Sequence, residues 1–273
     1  MIVSDLWRYP VKSLRGEPLR EAEVRPWGIS GDRRWMVVDP SGEKLWAGEH
    51  HDMVTVSAAR TGQGLRLRAG GRPDLHVDEP VDGPPVEVRL RGVGHAVSAG
   101  DPADAWLSEA LGRRVRLVWL ADPARRPMSE AHGGRPGDVL SFADAAPLLL
   151  ATLPSLRQLD DWIAQNGGGA PLEMSRFRPN LVIDGDLPPF AEDTWNEVQA
   201  GEVRFRFAEH CDRCAVTTLD PATGRSGKEP IRTLARHRRW DGQVWFGIRV
   251  VPLNEGTITV GDPVRAEGTR SSR

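Results

Sequence analysis

Residues 86–100 read "VEVRLRGVGHAVSAG". On either side of Gly92 apolar and polar residues alternate, the period of a strand that buries one face. A glycine at the centre lets the chain reverse tightly, so the stretch predicts a β-hairpin. Working outward, "RRWMVVD" (33–39) and "MVTVSAAR" (53–60) are rich in β-branched and aromatic residues bounded by Gly, Pro and Asp, and read as strands. Between them "DPSGE" is a turn, with Pro40 presetting φ and Gly42 accepting positive φ. Short strands at this spacing favour a barrel or sandwich over a βαβ sheet.

Helices come later and are few. "DPADAWLSEALG" (101–112) offers Asp101 as N-cap, Pro102 in the first turn, an apolar face of Trp106, Leu107, Ala110 and Leu111, and Gly112 as stop. "LPSLRQLDDWIAQNGG" (153–168) puts Leu156, Leu159, Trp162 and Ile163 on one face, and "EPIRTLARHRRW" (229–240) is a third candidate. Beyond residue 180 strand patterns return in "NLVIDG", "EVRFRFAE", "CAVTTLD", "VWFGIRVVP" and "GTITVGDPV". The expected class is α+β and β-dominated, with a few peripheral helices packed on a barrel. No internal repeat is visible, and the final residues "GTRSSR" read as a loose tail.

Composition narrows the function. The 273 residues carry 36 basic and 38 acidic side chains, a net charge of -2, so no global field favours nucleic acid or an anionic membrane. No stretch reaches the roughly 20 apolar residues of a spanning helix, and "APLLLATL" is too short. The first residues lack a signal-peptide pattern. A soluble cytoplasmic protein is expected. Of the basic residues only Lys12, Lys44 and Lys228 are lysines, so an arginine here is weak evidence of anion recognition.

"HCDRCAVTTLDPATG" (210–224) holds both cysteines. A structural zinc needs four N or S ligands, and the remaining histidines show no partner spacing. A zinc deaminase would place proline before the first cysteine and supply H-x-E, and both are missing. A thioredoxin-type switch wants its pair at a helix N-terminus, whereas this pair opens an apparent strand. Two inert half-buried thiols remain as the plain alternative. Three further stretches set charged or amide groups beside tight backbone: Lys12 and Ser13 in "YPVKSLRG", Arg33 in "GDRRWMVVD", and Arg178 and Asn180 in "FRPNLVIDG". Each also has an ordinary reading, as a solvated lysine, a paired arginine or a turn-capping asparagine.

Taken in order, "YPVKSLRG", "GDRRWMVVD", "FRPNLVI", "AEDTW", "CDRCAVTTLDPATG", "KEPIRTL" and "GTITVGDPV" resemble the MOSC proteins that carry an N-terminal MOSC β-barrel, over roughly residues 2–266. That group includes the mitochondrial amidoxime-reducing component and the C-terminal part of molybdenum-cofactor sulfurases. The resemblance implies an N-terminal β-barrel domain (1–120) packed on a MOSC β-barrel domain (121–268), then a loose tail (269–273). It also implies that Cys214 ligates molybdenum, with Cys211 a neighbour, and that Lys12, Ser13, Arg33, Arg178 and Asn180 hold the phosphate and pterin of a molybdenum cofactor. Arg213, beside the ligand, is expected to keep the thiol ionised. The implied activity is a molybdenum-dependent oxidoreductase acting on small N-hydroxylated compounds. Its electrons would come from a separate ferredoxin- or flavoprotein-type donor. The alternative is a sulfur or cofactor carrier that uses Cys214 without turnover. Two departures stand out. "DAAP" places Ala145 and Ala146 where the amidoxime reducers have hydroxyl residues, and the chain has no cysteine-rich iron–sulfur motif of the kind some bacterial relatives carry.

Overall fold

The computed structural model describes residues 1–268; the expected tail at 269–273 lies outside the described residues. The chain runs through β1 (Ile2–Arg8), β2 (Glu17–Leu19), β3 (Glu21–Arg25), β4 (Gly28–Ile29) and β5 (Trp35–Val38). It continues with β6 (Ser57–Thr61), β7 (Gly64–Arg68), β8 (Leu75–Asp78), β9 (Pro85–Val88), β10 (Gly94–Ser98), α1 (Asp101–Ala110) and β11 (Arg116–Trp119). Then come β12 (Leu148–Thr152), α2 (Leu153–Gln165), β13 (Leu181–Asp184), β14 (Trp195–Ala200) and β15 (Val203–Asp212). The chain closes with α3 (Ile231–His237), β16 (Arg239–Trp240), β17 (Gln243–Pro252), β18 (Gly256–Thr259) and β19 (Val264–Gly268). The fold is β-dominated with three α-helices among the described residues.

The hairpin read from residues 86–100 is present: β9 and β10 pair antiparallel from Gly94↔Val88 to Val97↔Pro85. With β5 and β11 they form a four-stranded sheet in the order β5-β11-β10-β9, while β6-β7-β8 make a separate meander. Trp35, Val37, Leu65, Leu67, Leu107 and Leu117 are buried between these elements.

The larger sheet has nine strands, ordered β19-β14-β15-β17-β12-β13-β1-β2 with β16 attached to β17. It joins the first strand of the chain to the last. Beside β1 and β19, Ile2 bridges Pro263, Val264 N donates to Met1 O at 2.9 Å, and Val3 N donates to Asp262 O at 2.9 Å. "LLLAT", which as a run of apolar residues was too short to span a membrane, is β12, fully buried and parallel to β13 across α2. No helix among the described residues is long and apolar enough to cross a membrane.

Three expectations need correction. Residues 51–55 form a 3-10 turn, and the strand begins only at Ser57. The turn drops Met53 and Val54 into the core, and that packing outweighs the β-propensity of Val54 and Thr55. Asp101 does not cap α1; it is the first helical residue, and Gly100, at φ 92°, precedes it. "CAVTTLD" is not a strand: residues 215–218 form a 3-10 turn entered at Cys214. Its threonines explain this, since Thr217 Oγ1 donates to Cys214 O (3.0 Å) and Thr218 Oγ1 to Ala215 O (2.7 Å). Such bonds offer the backbone an alternative to a ladder.

Candidate active site

The six residues singled out from sequence lie in four stretches spread over some two hundred positions. They line one cleft of about 510 Å³, together with Lys44, Trp46, Asp144, Ala145, Ala146, Cys211 and Arg213. Hydrogen bonds lace the stretches together. Arg33 N donates to Tyr9 O (2.8 Å), Lys12 N to Trp35 O (2.8 Å) and Phe142 N to Arg33 O (2.8 Å).

Backbone strain concentrates here. Five non-glycine residues among those described have positive φ, and three are Ser13 (69°), Arg33 (47°) and Arg178 (57°). An L-residue in the left-handed region costs about 1–2 kcal/mol, and such outliers gather where function needs a set side-chain direction.

The cations are held by the protein and lack a full complement of counter-charge. Lys12 is buried; its Nζ donates to Phe142 O (3.0 Å) and is paired with Asp144. Burial pushes its ammonium down to about 8, and Asp144 only partly offsets this. Desolvation opposes ionisation of Asp144, but the Lys12 ammonium still holds its carboxyl below the usual range. Arg33 pairs with Asp32, reaches Asn180 Oδ1 at 3.1 Å and lies 4.9 Å over the Tyr9 ring. Arg178 donates from Nη1 to Leu14 O at 2.7 Å and stacks 4.3 Å over the same ring. Its Nη2 is buried with no partner. Burial first, then Arg33, pushes this guanidinium down to about 10.

Asn180 is fully buried and its amide is heavily used. Oδ1 accepts from Leu149 N (3.2 Å) as well as from Arg33, and Nδ2 donates to Trp7 O (3.2 Å). It stitches β1, β12 and β13 together and holds Arg33 in place.

The two cysteines are unlike. Both are free; Cys211 is buried and Cys214 exposed. Arg213, expected to serve Cys214, points elsewhere: Nη1 donates to Cys211 Sγ at 2.7 Å and Nη2 to Phe177 O at 2.8 Å. No group of three or more His, Cys, Asp and Glu side chains among the described residues is arranged to hold a metal. A protein-built zinc site has no ligand set here, whereas a metal arriving with its own ligands needs a single thiolate.

Sequence reasoning missed Tyr9 and Asp144, and reached Asp32 only as an ordinary partner for Arg33, with Asp39 as the other choice. Asp144 lay within "DAAP", a stretch weighed for absent hydroxyls and not for the acid it contains. Ala145 and Ala146 are buried at the cleft wall, so hydrophobic surface takes the place of those hydroxyls.

Comparison with known proteins places the whole chain in a family. The model of the MOSC domain matches residues 137–265, and that of the MOSC N-terminal beta barrel domain matches residues 1–114. Human mitochondrial amidoxime-reducing component 1 is 34% identical over 96% of this chain and 82% of its own length. Human mitochondrial amidoxime reducing component 2 is 30% identical over the same shares. Among solved structures, the YUAD protein from Bacillus subtilis covers 98% of this chain and 96% of its own at 8% identity and a TM-score of 0.43, a likeness too slight to argue from.

Proposed function

The chain belongs to the MOSC family, and from that premise we propose that it is a molybdenum-cofactor-dependent oxidoreductase reducing small N-hydroxylated compounds. The observation that carries the reading is the convergence of Lys12, Ser13, Arg33, Arg178 and Asn180 with an exposed Cys214 on one cleft. The relatives named for amidoxime reduction support the substrate class.

The residues suit the group. A pterin phosphate carries nearly two negative charges and wants charge-assisted donors. Lys12, Arg33 and Arg178 supply them from a desolvated wall. Thiolate is a soft ligand appropriate to molybdenum, and Cys214 offers one without competition from Arg213. When bound, the cofactor would supply two-electron redox chemistry. The chain's own residues bind and orient it: Asp32 fixes Arg33, Asp144 and Phe142 O fix Lys12, and Asn180 ties these to the sheet. Exposure of Cys214 leaves that side open to a small substrate and to a separate donor protein. In this proposal the strands from β5 to β11 form the core of an N-terminal barrel domain ending near 120, and the larger sheet forms the MOSC barrel (121–268), to which β1 and β2 are lent, while β3 and β4 pair with β18 in a sheet of three strands. Two free thiols suit a reducing compartment such as the cytoplasm.

The test is metal analysis of protein made in a cofactor-competent host, with the two cysteines compared. We expect about one molybdenum per chain, lost in Cys214→Ser and largely kept in Cys211→Ser, because a hydroxyl is a hard, mostly protonated replacement for thiolate. Equal losses in both variants, with zinc in the wild type, would sink the reading. Sulfane sulfur on Cys214 without molybdenum would point to the carrier.

A further inference from the structure

We infer that a second cavity, sharing Arg178 and Val216 with the cofactor cleft, binds a small flat organic anion. The cavity measures about 400 Å³, within the range of small-ligand sites. Its walls are apolar and partly aromatic. Trp7 and Tyr9 stack at 6.5 Å with 18° between their planes, and Val54 and Leu219 line the same space.

Its buried polar atoms without a partner can all donate. Tyr9 Oη, Arg15 Nε, Arg176 Nε and Arg178 Nη2 are buried without a partner, and their residues all line this cavity. Buried polar atoms in folded proteins are nearly always paired; arginine Nε atoms are unpartnered at seven places among the described residues, so it is the gathering of two of them with Tyr9 Oη and Arg178 Nη2 on one cavity that points to an occupant. Each guanidinium is held by a backbone carbonyl: Arg15 by Pro221 O, Arg176 by Leu219 O (2.6 Å), Arg178 by Leu14 O (2.7 Å). Carbonyls fix direction without cancelling charge. Two acids line the space, Glu173 and Asp220. Asp220 approaches Arg176 at 3.3 Å through Oδ2, while its Oδ1 accepts from Ala222 N and Thr223 N of its own turn. Three guanidiniums therefore face two carboxylates. Burial holds the Tyr9 phenol protonated, above its ordinary range, so it too is a donor. The unpartnered donors select an acceptor, and Trp7, at the apolar wall, favours a planar body. A carboxylate and a phosphate monoester share that chemistry.

Calorimetric titration of the cofactor-loaded protein with benzoate, phenyl phosphate and benzyl alcohol tests this. One or both anions should bind about tenfold or more tightly than the alcohol, as charge-assisted bonds require, and the tighter anion identifies the head group. Arg176→Gln should weaken that binding about tenfold. Ala222→Trp, at an exposed position on the rim, should abolish it while leaving the buried residues in place. Lys44→Ala, which alters the cofactor cleft and not this cavity, should leave it unchanged. Absence of anion binding, equal binding of the alcohol, loss in Lys44→Ala, or wild-type affinity in Ala222→Trp would each overturn the inference, whatever the metal content.

Discussion

Lys12 shows what a single residue brings to the cleft and at what pH it does so. Its ammonium is depressed to about 8 chiefly by burial, against about 10.4 for an unperturbed lysine. Between those values the unfolded chain binds the extra proton and the folded chain does not, so in the cofactor-free protein this group makes stability rise with pH across that window. Binding runs the other way. A phosphate beside Nζ favours the charged form, so above about pH 8 the site must take up a proton to bind, and affinity falls by up to about tenfold per pH unit. Below pH 8 the lysine is charged in either case and contributes no slope. Molybdenum retained after gel filtration should therefore hold steady to about pH 8 and decline toward pH 10. Lys12→Arg, which does not titrate there, should flatten the profile. Undiminished retention by the wild type at pH 10 would remove Lys12 from the phosphate site.

At the scale of elements, the joint of β1, β12 and β13 depends on Asn180. Truncation to alanine leaves Leu149 N and Trp7 O without their side-chain partner, at about 1–3 kcal/mol for each buried group left unpaired, while Arg33 Nη1 keeps Asp32. Asn180→Ala should melt well below wild type by calorimetry, whereas Ser13→Ala should melt with it and lose cofactor affinity alone. A wild-type melting temperature for Asn180→Ala would refute the stitching role. This joint also shows what the sequence could and could not tell. The β9–β10 hairpin, the apolar stripe of α2 and the glycine stops were legible, because local period and turn chemistry determine them. The pairing of β1 with β13, some 180 residues away, is decided by tertiary packing and leaves no local trace. The 215–218 turn was hidden because threonine favours strands yet can also bond back to the preceding carbonyls. The motif order pointed to the cleft residues, but not to which of their polar atoms face inward. Arg213 turns to Cys211, and Asn180 spends its amide on the sheet.

For the whole molecule the open question is where electrons enter. Among the described residues the one parallel crossover in the large sheet, β12–α2–β13, is the place where a nicotinamide or flavin dinucleotide would be sought. There the strand passes into the helix through Ala151, Thr152, Leu153 and Pro154 without a glycine, so backbone cannot approach a pyrophosphate closely. The helix entrance is already filled from within. Thr152 Oγ1 accepts from Ser155 N (3.3 Å), and the carboxyl of the fully buried Glu192 accepts from Thr152 Oγ1 (3.0 Å) and Ser155 Oγ (2.8 Å). A dinucleotide phosphate would have to displace a buried carboxyl whose own hydrogen bonds would then go unmade. An iron–sulfur cluster takes four cysteine ligands, and the 273 residues contain two. In the proposed reaction the electrons would come from a separate donor, for which the exposed Cys214 leaves one side of the cleft open. The purified, molybdenum-loaded chain should reduce benzamidoxime when supplied with reduced viologen and should be inactive with NADH alone. A Glu192→Gln variant should leave that NADH result unchanged, since it keeps the helix entrance filled. Turnover driven by NADH in the pure chain would contradict this account of the crossover, and failure with every donor at full molybdenum occupancy would favour the carrier.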